Sequence, residues 1–398
     1  MERLYWNNDW KFAETWEEAM KEAVYPENEM EDVRLPHTCK ELPYHYFDEH
    51  AYQMLCGYRR HFMAPEAWQG KSVELTFEGV AHDAVVYVNG TEVKAHHCGY
   101  TAFFVELAKY LKYGEDNVLA VRVDSRENLN IPPFGYAIDY MTFGGMYREV
   151  YVQVRNKTHL ADVFVKSQIH PLQVTTEITV QNISDGITLQ QEIRKKGEGA
   201  YSPLGKKPVK QTNVQTVFPV QEIRLWEPEN PYLYEIRTSL WKNGEMIDAR
   251  VDITGFREAG FRKDGFYLNG KKLRLRGLNR HQSYPYVGYA APASMQIFDA
   301  DILKKELGVN AVRTSHYPQS QDFIRRCDEI GLLVFTEFPG WQHIGDEEWK
   351  RQAVQNLREM IVQYRNHPSI ILWGVRINES QDDDVFYRET NRVAHELD

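Results

Sequence analysis

After about Gly255 the chain changes texture, and this change constrains the fold more than any other feature: short apolar runs begin to alternate with stretches of helical periodicity. The apolar runs are KLRLRGLN from Lys272, NAVRTSH from Asn310, LLVFTEF from Leu332 and IILWGVRINE from Ile370. Helices are predicted between and after them, over about Met295 to Leu307, Gln319 to Ile330, Glu347 to Tyr364, and from near Asp384 onward. Four strand-helix units in series call for parallel strands, because each helix must carry the chain back to the same edge. They predict the first half of a (β/α)8 TIM barrel.

The preceding 250 or so residues read as all-β by the density of turn signals. In SVELTFEGVAHDAVVYVNGTEV, Asn89-Gly90 separates two strand-like runs, the usual mark of a two-residue hairpin. VLAVRV at Val118 to Val123 and REVYVQV at Arg148 to Val154 continue the pattern at the spacing of a sandwich or jelly roll. A second strand-rich stretch holds VTTEITVQNI, a polar Gly/Lys segment at Lys195 to Lys210, and YLYEIRTSLWKNGEMID. Its length of about 95 residues suits an immunoglobulin-like sandwich. The expected division is a jelly-roll domain over 1–157, an immunoglobulin-like domain over 158–254 and a half barrel over 255–398.

Composition removes several classes of function. A net charge of -10, mixed in sign along the chain, repels phosphate backbones, so nucleic acid is not an expected partner. The opening MERLYWNNDWKF lacks the basic and apolar regions of a secretory leader, and no run approaches the roughly 20 apolar residues of a membrane span. Cys39, Cys56, Cys98 and Cys327 are scattered without C-x-x-C spacing, which signals neither a disulfide framework nor a zinc site and fits a cytoplasmic location.

Each barrel run ends in polar or titratable residues: Arg280 and His281, then Arg313 and His316, then Glu337, then Asn378 and Glu379. In a parallel barrel these ends converge on one face, and burying such groups without partners costs several kcal/mol. Glu379 follows a very apolar run, which is expected to hold its carboxyl in a partly desolvated place and so raise its pKa toward that of a proton donor. The plainer reading is a rim glutamate paired with Arg376 or Arg280. His316 suits a hydrogen bond to a substrate hydroxyl or a buried structural role; Glu337 can touch substrate or orient Arg313. His281, His316 and His343 with Glu337 would permit a metal reading, but none has the H-E-x-x-H spacing, and three histidines on three loops arise readily by chance among 14. Trp341 and Tyr317 offer aromatic faces on which a sugar ring could stack, or simply local packing.

With these residues in view, GLNRHQ, NAVRTSHYP, CDEIGLLVFTE and RNHPSIILW followed by NES resemble the successive barrel motifs of glycoside hydrolase family 2. Upstream, FGGMYREVYV resembles that family's sugar-binding-domain motif and LWEPENPYLYEI the end of its immunoglobulin-like domain, so the resemblance covers nearly the whole chain. It implies retaining hydrolysis of a terminal β-galactoside, with Glu379 as general acid/base and Asn378 beside the sugar 2-hydroxyl. It also places His281, His316, Asp139 and Trp341 around the sugar, with Arg313 and Glu337 in support. Gln282 points to the β-galactosidase group, with β-glucuronidase, β-mannosidase or a non-catalytic carbohydrate-binding protein as alternatives. GVRI between Trp373 and Asn378 is one residue longer than the commonest family pattern, which implies a different local backbone at Glu379. Trp341 stands where some relatives have a magnesium-binding glutamate, leaving His343 alone of that cluster, so no metal or other cofactor is assigned. The family's nucleophile belongs to a seventh strand, and no residue up to Asp398 takes that role, so this chain is expected to be inactive by itself. Its unpaired strand edges are expected to make it a homo-oligomer.

Overall fold

The computed structural model describes residues 3–45, 48–135 and 137–398. Its first unit is a sandwich of two antiparallel sheets. The larger places, in spatial order, strands Glu31–Val33, Trp10–Ala13, Leu55–Met63, Asp116–Asp124, Asp83–Val88 and Thr91–His96. The smaller orders Leu4–Tyr5, Val150–Arg155, Ser72–Phe77 and Phe103–Glu106. Trp10, Tyr58, Leu75, Phe77, Val86, Val121 and Val152 fill the space between them and are inaccessible to solvent. Asn89 and Gly90 make the expected two-residue turn, both with positive φ (50° and 84°), the backbone twist that matches flanking strands.

The second unit packs a three-stranded sheet (His159–Ile169, Leu172–Gln181, Asn213–Pro219) on a four-stranded one (Ser202–Pro208, Ile187–Lys195, Tyr234–Lys242, Glu245–Thr254), the immunoglobulin-like arrangement. The polar Gly/Lys segment supplies Ser202–Pro208. It can be polar because it pairs on one side only, at the sheet edge, with no fully buried residue in it.

In the third unit the strands Gly277–Arg280, Ala311–Thr314, Leu333–Glu337 and Ile370–Gly374 lie side by side in that order, all parallel. Helices Ala293–Asp301, Gln321–Ile330 and Glu347–Tyr364 make the crossovers, and Asp384–Leu397 follows the fourth strand. The first helix runs on into a wider turn over Ile302–Glu306. Ser320, Asp346 and Asp383 cap the other three N-termini through their side chains. The first apolar run is not one strand as expected but two. Lys271–Leu273 closes a small antiparallel sheet, and only Gly277–Arg280 enters the barrel, Asn310 bridging the bend through Arg274 O and Arg276 N.

The units share contacts. Trp226, fully buried, ties the immunoglobulin-like unit to the barrel by donating from Nε1 to Asp328 O at 2.8 Å. The sandwich core runs without a break into Tyr289, Ala290 and Tyr317 of the barrel segment. Thr101 and His96 reach Glu359 on the third barrel helix at 2.6 and 3.0 Å. Among the described residues no helix is long and apolar enough to cross a membrane.

Candidate functional site

The parallel strands deliver their last residues to one end, where those of the second, third and fourth units meet. Glu337 closes the third strand, is 2% exposed, and accepts from Nε and Nη2 of Arg313 on the second strand at 2.9–3.0 Å. It also faces His316 Nδ1 at 2.6 Å. A carboxylate can only accept, so Nδ1 carries the proton of this contact. Arg313 spans the cluster, because Nη2, one of the two nitrogens on Glu337, also donates to Asn378 Oδ1 at 2.8 Å. The amide nitrogen of Asn378 is thereby left as the donor for a ligand. Glu337 thus pairs with Arg313 and His316 at once.

Glu379 lies five residues beyond the strand end at Gly374, on the loop that carries Val375 to Asn378 outward. Its side chain is exposed, so the expectation of a carboxyl desolvated by the apolar strand is corrected: the strand stops short of it. Nor is it in the ion pair of the plainer reading, since Arg376 bonds Asp382 and Arg280 bonds Asp299. Its partner is the Gln342 amide, which donates to Oε2 at 3.1 Å. Glu379 and Gln342 both adopt left-handed backbone, φ 54° and 55°, which costs an L-residue about 1–2 kcal/mol. The two loops are pinned together by Gln342 N donating to Asn378 O at 2.8 Å and by a bridge between Trp341 and Asn378. Strain held in place by such pairing is a feature of functional loops.

His281, after the first strand, stands beside the same cluster, its ring 5.6 Å from that of His316. Desolvation against its neighbours, then the adjacent His316, lowers its pKa, while Asp139 pulls the other way. Asp139 is exposed on a loop of the first sandwich that lies over the strand ends. Its neighbour Tyr140, which the sequence did not single out, packs its ring 5.2 Å from His281, 6.0 Å from His316 and edge-on to Trp341 at 6.4 Å. Trp341 is only 6% exposed and leans on His316 at 4.8 Å, so it backs the histidine more than it offers a face. Tyr317 is core, stacked on Tyr100 at 4.4 Å. His343 sits behind this group, edge-on to Trp349. Among the described residues no three His, Cys, Asp or Glu side chains gather as a metal site. Tyr140 and Gln342 escaped sequence reasoning because each acts through a partner distant in sequence or on a facing loop. For Tyr140 its place directly after Asp139 was the one available signal.

The arrangement presents a carboxyl, an amide donor and two imidazoles around an open rim, groups suited to holding hydroxyls and transferring a proton. Three family models match the chain: "Glycosyl hydrolases family 2, sugar binding domain" over residues 32–155, "Glycosyl hydrolases family 2" over 158–257, and "Glycosyl hydrolases family 2, TIM barrel domain" over 260–398. Among curated proteins, a β-galactosidase of Thermoanaerobacter pseudethanolicus is 48% identical over 99% of this chain and 54% of its own length. One from Thermoanaerobacterium thermosulfurigenes is 46% identical over 98% and 56%. The chain therefore spans about half the length of these relatives. Among solved structures, a β-glucuronidase of Bacteroides uniformis superposes with a TM-score of 0.89 at 28% identity, covering all of this chain and 51% of that one.

Proposed function

Because the chain belongs to glycoside hydrolase family 2, we propose that it carries the acid/base half of a site for retaining hydrolysis of terminal β-galactosides. The observation that supports this best is the Arg313 bridge from Glu337 to Asn378, next to a Glu379 carboxyl that pairs with no cation among the described residues. Retaining hydrolysis uses two carboxyls about 5–5.5 Å apart: one protonates the departing oxygen, and the other attacks the anomeric carbon. Glu379 takes the first role and then, as carboxylate, accepts the proton of the incoming water. A pyranose lying over the rim would displace the water now around this carboxyl, and desolvation raises a carboxyl pKa toward what proton donation at neutral pH requires. In this reading the Asn378 amide and the His316 and His281 imidazoles face the sugar hydroxyls, with Asp139 on the neighbouring loop. The attacking carboxyl is assigned to none of these residues, so the 398-residue chain alone is expected to turn over no aryl glycoside.

Galactoside is favoured over glucuronide because the two curated relatives described above, at 48% and 46% identity, are β-galactosidases. The test is hydrolysis of paired aryl β-galactosides and β-glucuronides by the full-length protein. Glu379→Gln should slow galactosides with poor leaving groups far more than activated ones, since only the former need the acid. Equal slowing of both, or preference for the glucuronide, would overturn the proposal.

A further inference from the structure

Arg148 belongs to the first sandwich, 6% exposed, yet half of its hydrogen bonds cross into the barrel segment. One terminal nitrogen donates to Tyr100 O at 2.9 Å and Glu78 O at 3.3 Å, both within the sandwich. The other donates to Gln282 Oε1 at 3.1 Å and Pro318 O at 3.0 Å. Gln282 directly follows His281, and Pro318 lies two residues after His316. A single planar group therefore grips, from behind, the two loops that carry the site's imidazoles. The Tyr147 ring, 5.0 Å away, limits where that plane can sit. Gln319, the next residue in the second loop, returns a bond to Arg280 O, so the two loops are also tied to each other.

We infer that Arg148 is a positioning residue: through Gln282 and Pro318 the sugar-binding domain sets the separation of His281 and His316, so that this domain is a working part of the site rather than an appendage. The inference rests on the reading of these histidines as sugar-facing. Lysine cannot replace the guanidinium, because one ammonium on a flexible stem cannot donate in two directions in a fixed plane.

Two measurements on Arg148→Lys test this and keep it separate from the proposed activity. In the full-length protein, the substitution should lower kcat/KM for an aryl β-galactoside by about 10- to 100-fold, the scale of a misplacement near 1 Å. In a background with both His281→Ala and His316→Ala it should cost less than about 3-fold, because the groups being positioned are gone. Equal losses in both backgrounds would mean that Arg148 merely holds the fold together, and would overturn the inference. Independently of any activity, amide hydrogen exchange in the 398-residue chain should quicken at least about 10-fold at 281–284 and 316–319 while strand 118–123 keeps its protection. Unchanged exchange in both loops also overturns it. Gln282→Leu, which removes one acceptor and leaves Arg148 in place, should quicken 281–284 in the same way and serves if Arg148→Lys fails to fold. A wild-type protein that leaves galactosides untouched would defeat the proposed function, while the exchange result still decides the role of Arg148.

Discussion

Replacing Glu337 by glutamine keeps the shape of the side chain and removes one charge from the centre of the site. The Glu337 side chain is 3% exposed and that of Arg313 28%, so the guanidinium keeps some water while the carboxylate has almost none. The His316 side chain, 7% exposed, loses the acceptor that holds its Nδ1 proton. Breaking a buried pair from one side costs about 3–5 kcal/mol, because the remaining charge stays uncompensated. Partial hydration of Arg313 places Glu337→Gln toward the lower end, about 3 kcal/mol. The assay is urea unfolding followed by tryptophan fluorescence, with Trp341 against His316 as a reporter near the change. Arg313→Met combined with Glu337→Gln should recover part of the loss, since no lone cation is left behind. A single variant within about 0.5 kcal/mol of wild type, or a double variant as unstable as the sum of the singles, would refute the view that this pair is electrostatically load-sharing and buried.

Acid should weaken the first sandwich through His82, which is 1% exposed and donates from Nε2 to Thr142 O while Nδ1 has no partner, so burial lowers its pKa to about 4. A base with a depressed folded pKa contributes stability that is full above its unfolded value near 6.5 and is lost as pH falls through about 4, here about 3 kcal/mol. Glu149, pushed up to about 7 by burial and by Glu78, acts in the opposite sense, so the check compares the pH slope of the urea midpoint in wild type and His82→Gln; an unaltered slope refutes it. Gly145→Ala should destabilise the same sandwich by at least about 2 kcal/mol, since the added carbon would lie 2.7 Å from His37 O at φ 118°, and a melting temperature equal to wild type would refute this. The open barrel edges, with Leu278 48% and Leu372 38% exposed, predict self-association of the 398-residue chain, and light scattering that finds only a 46.7 kDa monomer would refute it.

Much of this was legible in the residues themselves. Strands and helices of the barrel segment follow from a change of hydrophobic period, a local property, and the Asn89-Gly90 hairpin from a turn that few other pairs can make. The meeting of Arg313, Glu337 and Asn378 follows in turn, because parallel strands ending in polar residues must bring those ends together. Where one strand stops is less local: the split of the first run depends on Asn310 bridging its bend, and the exposure of Glu379 on the strand ending at Gly374.

What the sequence determined alone is thus the three-part architecture and the polar strand ends, set by periodicity and turn chemistry that neighbouring residues impose on one another. Tertiary structure decided that Trp341 is covered, that Gln342 holds Glu379, and that Tyr140 and Arg148 of the first sandwich shape a site on the barrel. The reason is physical: these contacts join residues up to 201 positions apart, and they exist only once whole domains have docked and excluded water between them.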